Sequence, residues 1–126
     1  MRNLDTLAAQ TAQKIIADTQ SFKASEVENL ATKALGVLQE NGVYAATLYL
    51  YSRTGTDAKI APFVRSQALA LVAAEIVQQA APADRADVAL RFVTDHVAND
   101  LDTLLLVKQL WEQTLIYVRY GAKARG

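Results

Sequence analysis

The chain has 126 residues, no cysteine, 5 glycines and 2 prolines, and its 13 basic side chains are balanced by 13 acidic ones. That length suits one domain, residues 1–126, with one core that buries roughly two-thirds of the unfolded surface without staples. The missing cysteines exclude disulfides and thiolate metal sites, and zero net charge excludes a nucleic-acid binder that works by bulk charge alone.

The spacing predicts a first helix over about Asn3–Ser21. Leu4, Leu7, Ala8, Ala12, Ile15 and Phe22 recur on one face. Ser25-Glu26-Val27-Glu28 has the form of a capping box and predicts the start of a second helix. Its inner face is Val27, Leu30, Ala31, Ala34, Leu35 and Leu38, and Asn41-Gly42 is a stop signal. Residues 43–51 are rich in tyrosine and alternate partly like a strand. Helix is expected, because a lone strand in a helical chain has no partner for its ladder. The polar stretch Ser52–Lys59 is read as a loop.

A fourth helix, about Ile60–Gln79, is apolar on nearly every side and predicts burial. Ala81-Pro82-Ala83 breaks it, and Asp84 is placed to cap the next helix, about Arg85–Val97, with Ala86, Ala89, Leu90, Val93 and Val97 inward. Asn99-Asp100 restarts the chain into a last helix, about Leu101–Lys123, carrying Leu101, Leu104, Leu105, Trp111, Leu115 and Val118. Short connections predict antiparallel neighbours. The expected fold is an all-α single-domain bundle of about five to six antiparallel helices. The longest apolar run, Ala68–Ala74, falls well below the roughly 20 residues that cross a bilayer. The first residues, Met1-Arg2-Asn3-Leu4-Asp5, lead directly into the amphipathic pattern with no signal peptide, so a cytoplasmic protein is expected.

Catalytic groups are sparse. His96 is the only histidine, with Asp100 four residues on, and it reads as a half-exposed residue near a helix end rather than a ligand. The pairs Asp84/Asp87 and Asp100/Asp102 fall at helix starts, where carboxylates stabilise the helix dipole. Arg53-Thr54-Gly55-Thr56 holds one glycine and matches no phosphate loop. No catalytic constellation, metal site or cofactor is expected, and the chain is read as a non-enzyme.

Charge is uneven. Asp84, Asp87, Asp95, Asp100 and Asp102 crowd one stretch, whereas Lys108, Arg119, Lys123 and Arg125 follow with Glu112 alone against them. At 100° per residue, Lys108, Glu112, Arg119 and Lys123 fall within about 60°, on a stripe roughly 22 Å long. Such a stripe suits a nucleic-acid backbone. On the spacing alone it better suits a solvated face with a Lys108–Glu112 pair and cations at a helix C-terminus. Tyr44, Tyr49 and Tyr51 beside Arg53 would suit base stacking or, more simply, packing.

Two stretches resemble the small helical subunit of the type III-B CRISPR effector, the Cmr-type RNA-guided complex. One is Lys33-Ala34-Leu35-Gly36-Val37-Leu38-Gln39-Glu40-Asn41-Gly42-Val43 and the small-residue and aromatic run through Leu50. Leu35 stands where that family commonly has proline, and Val43 replaces the usual leucine. The other is Gln113-Thr114-Leu115-Ile116-Tyr117-Val118-Arg119-Tyr120 with Lys123 and Arg125, where Gln113 replaces the common glutamate. The related type III-A small subunit has a similar design.

The resemblance implies a subunit without nuclease activity. It would stack with copies of itself beside the subunits that hold the CRISPR RNA, and contact target RNA through its backbone. It implies RNA contacts at Lys33, Arg119, Lys123 and Arg125; the charged stripe adds Lys108, with Arg53 and Arg65 as weaker candidates. Two other classes remain open: a protein-only helical adaptor or homodimeric module working through an apolar face, and a small enzyme built around His96.

Overall fold

The structure, a computed structural model, describes residues 3–126; Met1 and Arg2, which open the first expected amphipathic stretch, lie outside the described residues. Six α-helices follow in order: α1 Leu4–Asp18, α2 Ala24–Asn41, α3 Val43–Tyr51, α4 Gly55–Val72, α5 Ala86–His96 and α6 Leu101–Arg125. No strand occurs among the described residues. The fold is the all-α bundle that the periodicity predicts, and the tyrosine-rich segment is a helix.

The last helix organises the rest. It is the longest, and α1 and α2 each pack along it more extensively than any other pair of helices packs. Direction follows from which ends meet. Tyr117 of α6 hydrogen-bonds Asp5 near the start of α1, Ile16 lies against Gly121, and Arg125 reaches Thr19 just past the end of α1. These two helices therefore run parallel. Lys108 instead lies by Gln39 at the end of α2, and Gly126 by Ala24 at its start, so α2 runs antiparallel. Sequential α1 and α2 thus flank α6 rather than forming the expected antiparallel hairpin with each other.

Val27, Leu30, Leu38, Ile60, Val64, Val107, Leu110 and Val118 are at most 1 % exposed and form the centre. At the middle of the bundle, Trp111 donates its indole N–H to the Ala68 carbonyl at 3.1 Å, tying α6 to α4. A buried indole N–H without such an acceptor would be costly. Among the described residues every buried side-chain nitrogen and oxygen has a hydrogen-bond partner.

Several local expectations are corrected. The second helix starts at Ala24, before Ser25, with Lys23 at the cap position and its carbonyl taking the amides of Glu26 and Val27. The Ser25–Glu28 capping box therefore does not form. Phe22 packs on Phe63, ring centres 6.2 Å apart, which fixes the entry to α2 from the preceding residue. The fourth helix begins at Gly55, so the loop shrinks to residues 52–54, and Pro62 sits inside the helix. Beyond Val72 the chain widens into a π-helical turn, Ala73–Val77, which closes on left-handed Gln78. Ala86 is exposed, and Phe92 takes an inward position on α5. Asp84 does not cap that helix; Arg85 occupies the cap position without a side-chain bond. Leu101 and Leu105 of α6 point outward, 68 % and 54 % exposed.

Asp100 does cap α6. Its carboxylate accepts the Thr103 amide at 3.0 Å and the Thr103 hydroxyl at 2.8 Å, and these bonds hold its acid strength above that of an ordinary aspartate. Gly42 joins α2 to α3 with φ of 95°, a conformation that favours glycine, as the Asn-Gly signal predicts. With its π extension, α4 is long and apolar enough to cross a membrane by length and composition. Its Ile60, Ala61, Val64, Leu69 and Val72 are buried against the neighbouring helices, as befits a core helix.

Candidate nucleic-acid interface

The bundle spaces the candidate cations along α6. The buried side of that helix carries Val107, Leu110, Trp111, Thr114, Leu115, Val118 and Ala122. Lys108, Arg119 and Lys123 fall on the edge next to it, toward α2. Lys123 is exposed, and Lys108 and Arg119 are half-buried along their stems. The Lys108 ammonium lies 3.5 Å from the Gln39 carbonyl, at the α2 C-terminus, where the helix dipole favours a cation. No Lys108–Glu112 ion pair forms among the described residues. The Arg119 guanidinium lies over the Tyr120 ring, 5.0 Å from its centre, and donates to the Tyr120 hydroxyl at 3.3 Å. That contact orients the cation without neutralising it.

The other expected contacts are engaged elsewhere. Lys33 donates to Asp57, in the first turn of α4, at 2.7 Å, and this bond raises its pKa. Arg125 donates to the carbonyls of Thr19 at 3.0 Å and Phe22 at 2.6 Å. It places a cation at the C-terminus of α1, whose own last turn has none. Arg53 lies 3.6 Å over the centre of the Tyr49 ring, and Arg65 lies 4.2 Å over that of Tyr51. Each ring thus has a guanidinium on one face, as in packing. Tyr44 remains open, at 43 % exposure, next to Leu48 at 46 %. Lys108, Arg119 and Lys123 are therefore the cations that the fold brings together on one edge.

Sequence reasoning missed a polar cluster. Arg65 bonds Asp84 in a two-pronged pair at 2.8 and 3.1 Å, and Tyr51 donates to the same carboxylate at 2.8 Å. The Arg65 hydrogen bond is the main force holding the Asp84 carboxyl below its ordinary range. Burial, helped by the Asp84 bond, pushes the Tyr51 phenol up to about 12. The cluster pins the segment between α4 and α5 onto α3 and α4. Its charge ladder spans three elements, so no local spacing signals it.

Exposed His96 leans on Phe92, ring centres 5.3 Å apart, and α5 ends at His96, so Asp100 is not on the same helix. Among the described residues no group of three or more His, Asp or Glu could hold a metal. The groove between α1 and α4 has a volume of about 240 Å³ and is walled by Leu7, Thr11, Lys14, Gln67 and Leu71. The fold and surface define an all-α bundle with one cationic helix edge and several exposed apolar side chains. Neither a protein-family model, nor a curated protein, nor a solved structure matches the chain.

Proposed function

We propose that this chain is a non-catalytic small subunit of a cytoplasmic type III CRISPR ribonucleoprotein, of the Cmr type that its sequence resembles. It holds target RNA along the guide RNA by backbone contacts, in defence against invading nucleic acid. The observation that carries the reading is the edge of α6. Lys108, Arg119 and Lys123 stand on it over roughly 22 Å, with none in an ion pair among the described residues. Such a row can neutralise successive phosphates without reading bases. Lys33 and Arg125 act in this reading as braces of the fold first, since their polar ends are already bonded.

The test is a pull-down of the tagged chain from its native cell, with RNA sequenced and proteins identified, beside a Lys108→Glu/Lys123→Glu variant. Short CRISPR-derived RNAs and CRISPR-associated subunits should come down with the wild type. The variant should retain the proteins and lose most of the target RNA. Recovery of no RNA above background would overturn the reading. A protein-only adaptor is the second reading, favoured by the outward Tyr44 and Leu48 of α3. It predicts that Leu48→Glu, and not the lysine variant, abolishes capture of partners.

A further inference from the structure

A helix that supplies the core of a bundle ordinarily turns polar residues outward. The outer face of α6 does so at Asp102, Gln109, Glu112, Arg119 and Lys123, but it also sets large apolar side chains among them. Leu101, Leu105 and Tyr120 are 68 %, 54 % and 56 % exposed, three of the six exposed large apolar side chains among the described residues. Ile116 lies beside them, half-buried and packed in part against the core. Asp102, Leu105, Gln109, Glu112, Ile116, Arg119 and Lys123 follow one another at steps of three and four, a heptad seam lying within about 100° of arc. None of these residues is fully buried.

The order of residues along that seam is its most informative property. Turned end for end about the midpoint of Leu110 and Trp111, the seam places Asp102 on Arg119, Leu105 on Ile116 and Gln109 on Glu112. Acid meets base, apolar meets apolar, and an amide meets a carboxylate. In an antiparallel helix pair the two kinds of seam position share a layer, and these are the residues that share one. Every contact would occur twice, as a two-fold axis requires. Among the described residues neither Asp102 nor Glu112 has an ion pair within its own chain. Among the described residues Arg119 sets its charge against its neighbour Tyr120.

We propose that the outer face of α6 is a docking surface for a second copy of this chain, packed antiparallel about a two-fold axis. The end layers are Asp102–Arg119 pairs, the next are Leu105–Ile116 contacts, and the centre is Gln109–Glu112. Leu101 and Tyr120 flank the seam at its ends. This goes beyond the RNA reading and rests mainly on Asp102, Leu105, Gln109, Glu112 and Ile116, which that reading does not use. It describes a closed pair, whereas stacked subunits form an open row. Arg119 and Lys123 belong to both surfaces, so RNA and the second copy exclude one another there.

Seventeen residues of rise make the seam about 26 Å long and, at a helix width of about 10 Å, cover about 250 Å² on each copy. That is well below a standard interface and predicts a weak, reversible pair. The experiment is analytical ultracentrifugation of the purified chain, free of RNA, from about 10 μM to about 1 mM. Wild type should shift from monomer to dimer across this range. Leu105→Glu should raise the dissociation constant at least tenfold; this side chain is exposed in the monomer, so the fold survives. Asp102→Arg should weaken the dimer similarly, and Asp102→Arg/Arg119→Asp should restore it, since reversing both charges recreates the pair. Circular dichroism confirms that each variant is folded. A wild type monomeric throughout, a dimer indifferent to Leu105→Glu, or a double variant as weak as the single one would each overturn the proposal.

Discussion

Replacing Arg125 by alanine separates a brace from a binding residue. Its guanidinium makes two charge-assisted bonds, to the Thr19 and Phe22 carbonyls, at the junction between α1 and α2. Hydrogen bonds to charged groups contribute about 1.5–3 kcal/mol each when shielded. Arg125 is only half-buried, so water can replace part of what is lost, and a total of about 2 kcal/mol is expected. At about 2.1 cal/mol/K of unfolding entropy per residue, this lowers Tm by about 8 °C. The assay is thermal unfolding followed by the fluorescence of Trp111, the only tryptophan and 3 % exposed in the core. Arg125→Lys keeps the charge at the end of α1 but loses the fork, and should recover about a third of the difference. A Tm within about 2 °C of wild type for Arg125→Ala would refute the reasoning.

Asp84→Asn should cost about 1 kcal/mol, a small figure because the Asp84 side chain is half exposed, and urea unfolding at neutral pH would measure it. The contribution of Asp84 is present above its unfolded pKa near 3.8 and disappears as pH falls through the lower folded value, so the wild-type advantage over Asp84→Asn should vanish in acid. Tyr51 has the opposite sign: its contribution is complete below pH 10 and disappears as pH rises through about 12. Ultraviolet difference absorbance should show a late-ionising tyrosine that is lost in Tyr51→Phe and moves to lower pH in Asp84→Asn. Gly42→Ala should destabilise by about 1–3 kcal/mol, because the added Cβ finds open space but φ of 95° strains any other residue, again read by urea unfolding.

The helices were legible where one periodic face meets one core. Val27, Leu30, Ala31, Ala34, Leu35 and Leu38 are all buried, as their spacing predicts. Boundaries were less legible, because long-range contacts compete with local signals. Ser25 and Glu28 have the form of a cap, yet the chain enters α2 at Ala24 behind Phe22, which is held by Phe63 some forty residues away. Asp84 sits where a cap is expected, but Arg65 and Tyr51 claim its carboxylate. The π turn after Val72 has no spacing of its own, since its residues are the small and apolar ones that continue any helix. At the candidate site, helical arithmetic placed Lys108, Arg119 and Lys123 on one edge. It did not show that Lys33 and Arg125 are spent on Asp57 and on the α1 terminus, because those partners come from other elements. Leu101 and Leu105 were counted among the apolar residues of the last helix without a side assigned, and it is their exposure that reveals the second face of α6.

The helix that joins α1 to α2 comes from the far end of the chain. Its contacts with α1 close loops of more than a hundred residues, as in the pairing of Arg125 with Thr19. Closing so long a loop costs entropy before any packing returns it, so this bundle should fold more slowly than a hairpin-by-hairpin bundle of equal size. Once formed, α1 and α2 share α4 as a second neighbour, but each packs far more extensively on α6 than on α4. Hydrogen exchange should therefore release all three together, as one cooperative unit.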